Sequence, residues 1–350
     1  MDEIKENSTL RILHGTIEIA NQMYTLTEGL KKLGTNAKTL NYYPSYLGYK
    51  SDYIFNIGSF KNINEANMET KKLALKMITE NDIFHFHFST SLTLDYWDLH
   101  ILKDLNKKII MHHWGSDVRM VSTAKKINPY VRVKILDEDI IKRRLDFLSK
   151  FVDYCVVADQ ELYSYVKDFY KNVVLIPQAI ETDKYRSTDS DVEENQKFLI
   201  VHAPTNREIK GTTFIMNAIE NLKHKYDFEF RLVENVSHEE AKKIYEKSDL
   251  IIDQVLSAGH GLFALECMAM GKPVICSISD FMKDYYPKEL PIISAGPYEI
   301  ESKLEFILNN KDMLQSIGNK GREYVLKYHD YLVVSKMTLE LYKGSDSIDI

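Results

Sequence analysis

Along almost its whole length this chain repeats one unit: a short apolar run, a turn, then a stretch with apolar residues at helical spacing. Arg11-Ile12-Leu13-His14-Gly15 reads as a strand running into a loop, and Met23, Leu26, Leu30 and Leu33 then fall on one helical face. Gly34 follows where a left-handed glycine closes a helix. Further strands are expected at 83–88, 108–112, 154–158, 173–176, 197–202, 229–233, 250–252 and 273–276, with helical patterns between most of them. Strands joined through helices pair in parallel, and parallel sheets need cover on both faces. The expected fold class is therefore α/β, built from doubly wound parallel sheets.

At 350 residues the chain exceeds one small core, so two domains are expected. Residues 182–197 are polar with almost no apolar member, which marks a linker. This places a first domain at 1–181, a second at 198–325, and a terminal helix and tail at 326–350 that could pack on either. A hydrophobic content of 44% with 27% charged residues is that of a folded protein, and a formal charge of −6 argues against general nucleic-acid binding. The polar start Met1–Glu6 is unlike a secretory signal, and no apolar run reaches the ~18–20 residues of a membrane span. Cys155, Cys267 and Cys276 form no C-x-x-C pair, which suits reduced thiols and a cytoplasmic location.

In open parallel sheets ligands bind at the carboxyl ends of strands. The most informative such segment runs from Gly259 to Ile275, where a glycine-bearing loop leads into a short helix that Gly271 closes and Pro273 prevents from continuing. At the helix start the N–H groups of Gly261, Leu262 and Phe263 can hold an anion, helped by the helix dipole. Glu266 lies about one turn in, where a carboxylate can take ribose hydroxyls. The plainer alternative is an ordinary helix start with a solvated glutamate. Upstream, a strand at 197–202 runs into a polar loop with two cations, Arg207 and Lys210, followed by Gly211.

Leu265-Glu266-Cys267-Met268-Ala269-Met270-Gly271-Lys272-Pro273-Val274 resembles the donor-site signature of the retaining family 4 glycosyltransferases, the group 1 glycosyl transferases. In that family a first glutamate stands eight positions earlier, where this chain has Ala258, so its contact is missing or supplied by another group such as His260. The loop at 207–211 resembles the family's Arg…Lys-Gly element, whose cations stabilise the leaving diphosphate without a metal. Ile110 to Arg119 resembles its His…Gly-Ser-Asp stretch, which implies His113 as the histidine facing donor sugar or acceptor and Asp117 as the residue orienting the loop. His14 to Gln22 resembles the first acceptor-side loop, with Gly15 and Thr16 beside the ligand, and His87 is a further candidate there. Two shorter segments, 175–181 and 239–252, also resemble the family.

The resemblance implies a GT-B fold, two Rossmann-like domains facing a cleft, with the nucleotide held by the second and the acceptor by the first. It also implies retention of anomeric configuration, a UDP- or GDP-linked sugar as cosubstrate, and no further cofactor or metal. Rival readings are an epimerase acting on the same donor and a catalytically silent nucleotide-sugar binder. His85, His87, His112 and His113 together permit a zinc site, although the alternation Phe84-His85-Phe86-His87-Phe88 favours a structural strand. The first loop is no G-x-G-x-x-G fingerprint, which argues against a nicotinamide cofactor. The basic stretch Lys125 to Lys150 suits a helix touching anionic lipid, but Asp137, Glu138, Asp139 and Asp146 favour a solvated surface helix.

Overall fold

A computed structural model describes residues 10–44, 48–185 and 197–344, so most of the expected linker, 186–196, lies outside the described residues. Two parallel sheets organise the chain. The first contains β1 (Arg11–Thr16), β2 (Asn36–Asn41), β3 (Tyr53–Ile54), β4 (Ile83–His87), β5 (Lys108–His113), β6 (Tyr154–Val157) and β7 (Val173–Leu175) in the order β3-β2-β1-β4-β5-β6-β7. The second contains β8 (Leu199–His202), β9 (Glu229–Leu232), β10 (Leu250–Ile252), β11 (Val274–Cys276) and β12 (Ile293–Ser294) in the order β12-β11-β10-β8-β9. Every described pair of neighbouring strands is parallel. Three strands escape the sequence pattern: β2 is polar and alternating, and β3 and β12 are two residues long.

Each sheet reverses direction of growth once, between β1 and β4 in the first and between β8 and β10 in the second. At such a point the loops leaving two adjacent strands part to opposite sides and open a crevice.

The chain divides into two units, one of residues 1–118, 137–179 and 331–350, the other of residues 119–136 and 180–330. The first unit is thus discontinuous, unlike the unbroken 1–181 expected from sequence. Residues 119–136 join the second unit through Asn128, whose side-chain amide donates to the carbonyls of Leu256 and Ser257 at 3.2 and 2.9 Å. The terminal helix Tyr331–Lys343 lies on the helix Gln22–Lys32 of the first unit. A Cβ on Gly29 would lie 2.1 Å from Ser335 Oγ and 2.9 Å from the Tyr331 carbonyl, so only glycine allows this approach.

In the second unit the two-residue strand period sorts the core. Leu199, Val201, Ile251 and Val274 face one side with Leu265, Met268 and Tyr324, while Ile200, Leu250, Ile252 and Ile275 face the other with Ile215, Ile219 and Leu304. In the first unit Ile12, Ile83, Ile110 and Val156 pack under Leu26, Leu30 and Val334.

The basic stretch after Lys125 is not one helix. Val121–Ile127 and Glu138–Leu148 are separate helices that belong to different units, and Pro129 removes the N–H that continuation would need. Among the described residues no helix is long and apolar enough to cross a membrane.

Candidate functional site

At the crevice of the second sheet, β8 leads into a four-residue helix, Arg207–Lys210, capped by the Asn206 side chain and ended by Gly211 at φ +76°. A Cβ on Gly211 would lie 2.5 Å from Val255 Cγ2, so both the left-handed backbone and the packing require glycine. This turn carries the Lys210 side chain to the end of β10. Its Nζ donates to Asp253 Oδ1 at 2.6 Å and to Gln254 Oε1 at 2.8 Å. Asp253 Oδ2 accepts from the Gly261 N–H at a long 3.4 Å. Gln254 Nε2 donates to the Gly259 carbonyl at 2.6 Å and so holds the glycine loop. Asp253 and Gln254 carry no sequence motif, yet they directly follow the short strand Leu250–Ile252, where strand-end logic could have found them.

Gly261 is the N-cap of the helix Leu262–Ala269. The first-turn N–H groups of Leu262 and Phe263 have no acceptor within the helix. The Gly261 N–H, expected to point at a ligand, points instead at Asp253. Glu266 sits one turn further, where its Oε1 accepts from the Tyr185 hydroxyl at 2.8 Å. Ala258, the position of the absent glutamate, is buried among Ile278 and Met282.

One further expectation for this site needs correction. Arg207 is not turned to the lysine's ligands; its side chain is 60% exposed and forms a bidentate pair with Glu234. His260 is fully buried against Tyr286, with ring centroids 4.7 Å apart, and neither ring nitrogen has a hydrogen-bond partner. Burial pushes its pKa down to about 3, so it is a neutral imidazole.

In the first unit the two-residue period separates neighbours His112 and His113 onto opposite faces of β5. His113 is fully buried, its Nδ1 lying 2.7 Å from Asp117 Oδ2 and its Nε2 2.9 Å from the Tyr170 hydroxyl. Asp117 Oδ1 accepts from the N–H groups of Trp114 and Gly115 at 3.1 and 3.0 Å. The pair therefore holds the Gly115-Ser116-Asp117 loop. With both nitrogens engaged His113 does not face a ligand, which corrects the expectation of a contact from it.

The zinc reading fails on the same geometry, because His113 is absent from the histidine group and His14 joins it. His14, His85 and His87 bring ring nitrogens within 4.8 Å of one another, but hydrogen bonds already use them. Trp114 Nε1, a donor only, gives its hydrogen to His87 Nδ1 at 3.0 Å. That fixes His87 Nε2 as donor to His14 Nδ1 at 3.0 Å, and His14 Nε2 as donor to the Tyr342 hydroxyl at 2.9 Å. Tyr342 donates to His85 Nδ1 at 2.6 Å, and His85 Nε2 to His112 Nδ1 at 3.3 Å. These neutral rings tie the terminal helix to the sheet, and His87 is no ligand contact.

Gly15 is a buried strand residue whose added Cβ would meet the Leu40 carbonyl at 3.4 Å. Thr16, at the end of β1, lines a pocket of about 250 Å³ with Tyr43, Ser89, Thr90, Tyr96 and Arg144. Of the first-unit candidates, Thr16 is the one this pocket includes.

Two parallel-sheet α/β units, each with a crevice where its strand order reverses, define the GT-B fold class. A family model described as glycosyl transferase-like matches residues 199–336. That span contains the whole five-stranded sheet, so the glycosyl transferase-like match falls on the second unit. An uncharacterized glycosyltransferase of Methanocaldococcus jannaschii is 21% identical over 198 residues, 43% of this chain and 55% of that protein. The alignment thus spans little more than half the relative's length. Among solved structures, Anabaena HepE in complex with UDP-glucose matches with a TM-score of 0.68 at 11% identity, covering 96% of this chain and 100% of that one. A Listeria monocytogenes protein assigned as a UDP-N-acetylglucosamine 2-epimerase matches with a TM-score of 0.60 at 11% identity, covering 98% and 99%. At these identities the likeness is one of fold.

Proposed function

We propose that this chain is a retaining, metal-independent glycosyltransferase that moves a sugar from a UDP- or GDP-linked donor to an acceptor held by the first unit. The observation that carries it is the meeting, at one sheet crevice, of Lys210, the start of the helix Leu262–Ala269 and Glu266. A diphosphate at that helix start gains the first-turn N–H groups, and Lys210 stabilises the charge that grows as the glycosidic bond breaks. Glu266 accepts ribose hydroxyls. The acceptor attacks from the face the diphosphate leaves, and the leaving phosphate takes the acceptor's proton.

The test is incubation with UDP-glucose, GDP-mannose and related donors, with and without a broad acceptor panel, in chelator and in added Mg²⁺. Transfer to an acceptor that survives chelation supports the proposal; transfer that stops in chelator and returns with the metal overturns its metal-free part. The fold shared with the Listeria protein favours one alternative, an epimerase. A new sugar epimer formed from donor alone selects it. Nucleotide binding with neither product selects a silent binder, for which Ala258 is the motive.

A further inference from the structure

The pocket at the crevice of the first sheet is built before any ligand arrives. Phe88, Ser89 and Tyr96 have φ of 57°, 57° and 60°, left-handed conformations that cost energy in residues with a side chain. The loop between them is held by the buried carboxylate of Asp98. It accepts from Ser91 Oγ at 2.7 Å, Thr93 Oγ1 at 2.6 Å, and the N–H groups of Leu92 and Thr93 at 2.9 and 3.0 Å. The Tyr96 hydroxyl closes the loop by donating to the Ser89 carbonyl at 2.8 Å.

The wall's serine and threonine hydroxyl protons are committed inward. Ser89 Oγ donates to Asp117 Oδ2 at 3.1 Å, Thr90 Oγ1 to the His87 carbonyl at 2.7 Å, and Thr16 Oγ1 to Thr90 Oγ1 at 3.1 Å. Ser89 and Thr16 keep lone pairs that can accept from a ligand's hydroxyl groups. Arg144 is the one charged residue among the described residues of this wall, half-buried and in no ion pair there. Guanidinium is a donor in a fixed fork that matches carboxylate or phosphate oxygens. Tyr43 and Tyr96 add aromatic surface. At about 250 Å³ the space lies just under the ~300–1,000 Å³ of drug-sized pockets, which suits one sugar ring better than an extended chain.

We infer that this pocket binds a hydroxyl-rich, sugar-sized acceptor carrying an anionic group, with Arg144 as the anion's partner. The inference rests on the transferase proposal for the word acceptor, but the pocket's chemistry stands apart from the donor site. It is tested on the full chain by calorimetric titration with glucose, glucose 6-phosphate and glucuronate, with UDP and GDP titrated in parallel. One or both anionic sugars should bind at least roughly tenfold tighter than glucose, the scale of a charge-assisted bidentate contact. The stronger of the two tells phosphate from carboxylate.

Arg144→Gln should bring the anionic sugars to the level of glucose, and Arg144→Lys should keep part of the preference. Equal binding of the three sugars, no binding of any, or a preference that survives Arg144→Gln overturns the inference. UDP binding alongside any of those results leaves the donor site standing. An Arg144-dependent preference without binding of UDP or GDP upholds the pocket and sinks the donor proposal.

Discussion

Nζ of Lys210 lies 2.6 Å from Oδ1 of Asp253, a carboxylate with no exposed side-chain surface, while the lysine side chain is 14% exposed. The lysine expected to meet a diphosphate is thus already neutralised by a residue of its own unit. Asp253 also takes the Gly261 N–H, so it occupies two groups that an anion would use. Asp253→Asn should therefore raise UDP or GDP affinity several-fold. Calorimetric titration of the nucleoside diphosphate decides it; equal affinity in both proteins means that Asp253 does not compete. Lys210→Ala alone strands a buried carboxylate, a loss of about 3–5 kcal/mol. The double variant Lys210→Ala/Asp253→Asn should recover stability but not turnover.

Glu266→Gln should weaken nucleotide binding by roughly tenfold, about the worth of one hydrogen bond to a charged group. The amide has one acceptor oxygen where the carboxylate has two, and the Tyr185 hydroxyl already uses Oε1. Affinity is compared for UDP and for the whole donor. Tyr185→Phe should give a smaller change in the same direction, because it frees the carboxylate to reorient. A Glu266→Gln protein that binds UDP as tightly as wild type removes this residue from the ribose contact.

Stability should fall steeply as pH drops from 6.5 toward 4. Burial lowers the pKa of His14 and His260 to about 3 and of His202 to about 4, and holds His85, His87 and His112 well below the usual 6.5. Above pH 6.5 these rings are neutral whether folded or not. Below it the unfolded chain takes protons the folded chain refuses, at about 1.4 kcal/mol per pH unit for each ring. Glu18 works the other way. Burial raises its pKa from 4.5 to about 7, so it contributes stability at low pH that is lost as pH rises through that window. Burial raises the pKa of Asp98 as well, in the same sense as Glu18, and these two are outweighed by the six rings. Urea midpoints at pH 7 and pH 5 test this, and equal midpoints would contradict it.

Gly318→Ala should cost about 1–3 kcal/mol, the range for forcing an atom into a packed core. The new Cβ would lie 2.0 Å from the Gly271 carbonyl oxygen, a backbone atom that cannot rotate away. Gly321→Ala, one turn on, comes no nearer than 3.4 Å to Met268 and serves as the control. Urea unfolding of both variants separates the contact from the general effect of a helical glycine, and equal losses would refute it.

Much of this protein is legible in local chemistry alone. The apolar runs name most strands because a buried parallel strand must be apolar on both faces, as in Ile110 and Met111. Gly34 and Gly271 announce helix ends because their left-handed backbone, at φ 86° and 74°, is cheap only for glycine. The run from Leu265 to Val274 carries its family likeness in consecutive residues. Tertiary structure alone decided the rest. Whether His113 faces a ligand depends on Tyr170 at 57 positions' remove, and whether Lys210 is free depends on Asp253 at 43. The pocket joins Thr16 to Arg144, residues that share no pattern in the sequence. A sequence determines what each segment prefers by itself, whereas burial, ionisation and partnership belong to atoms that only the folded chain brings together.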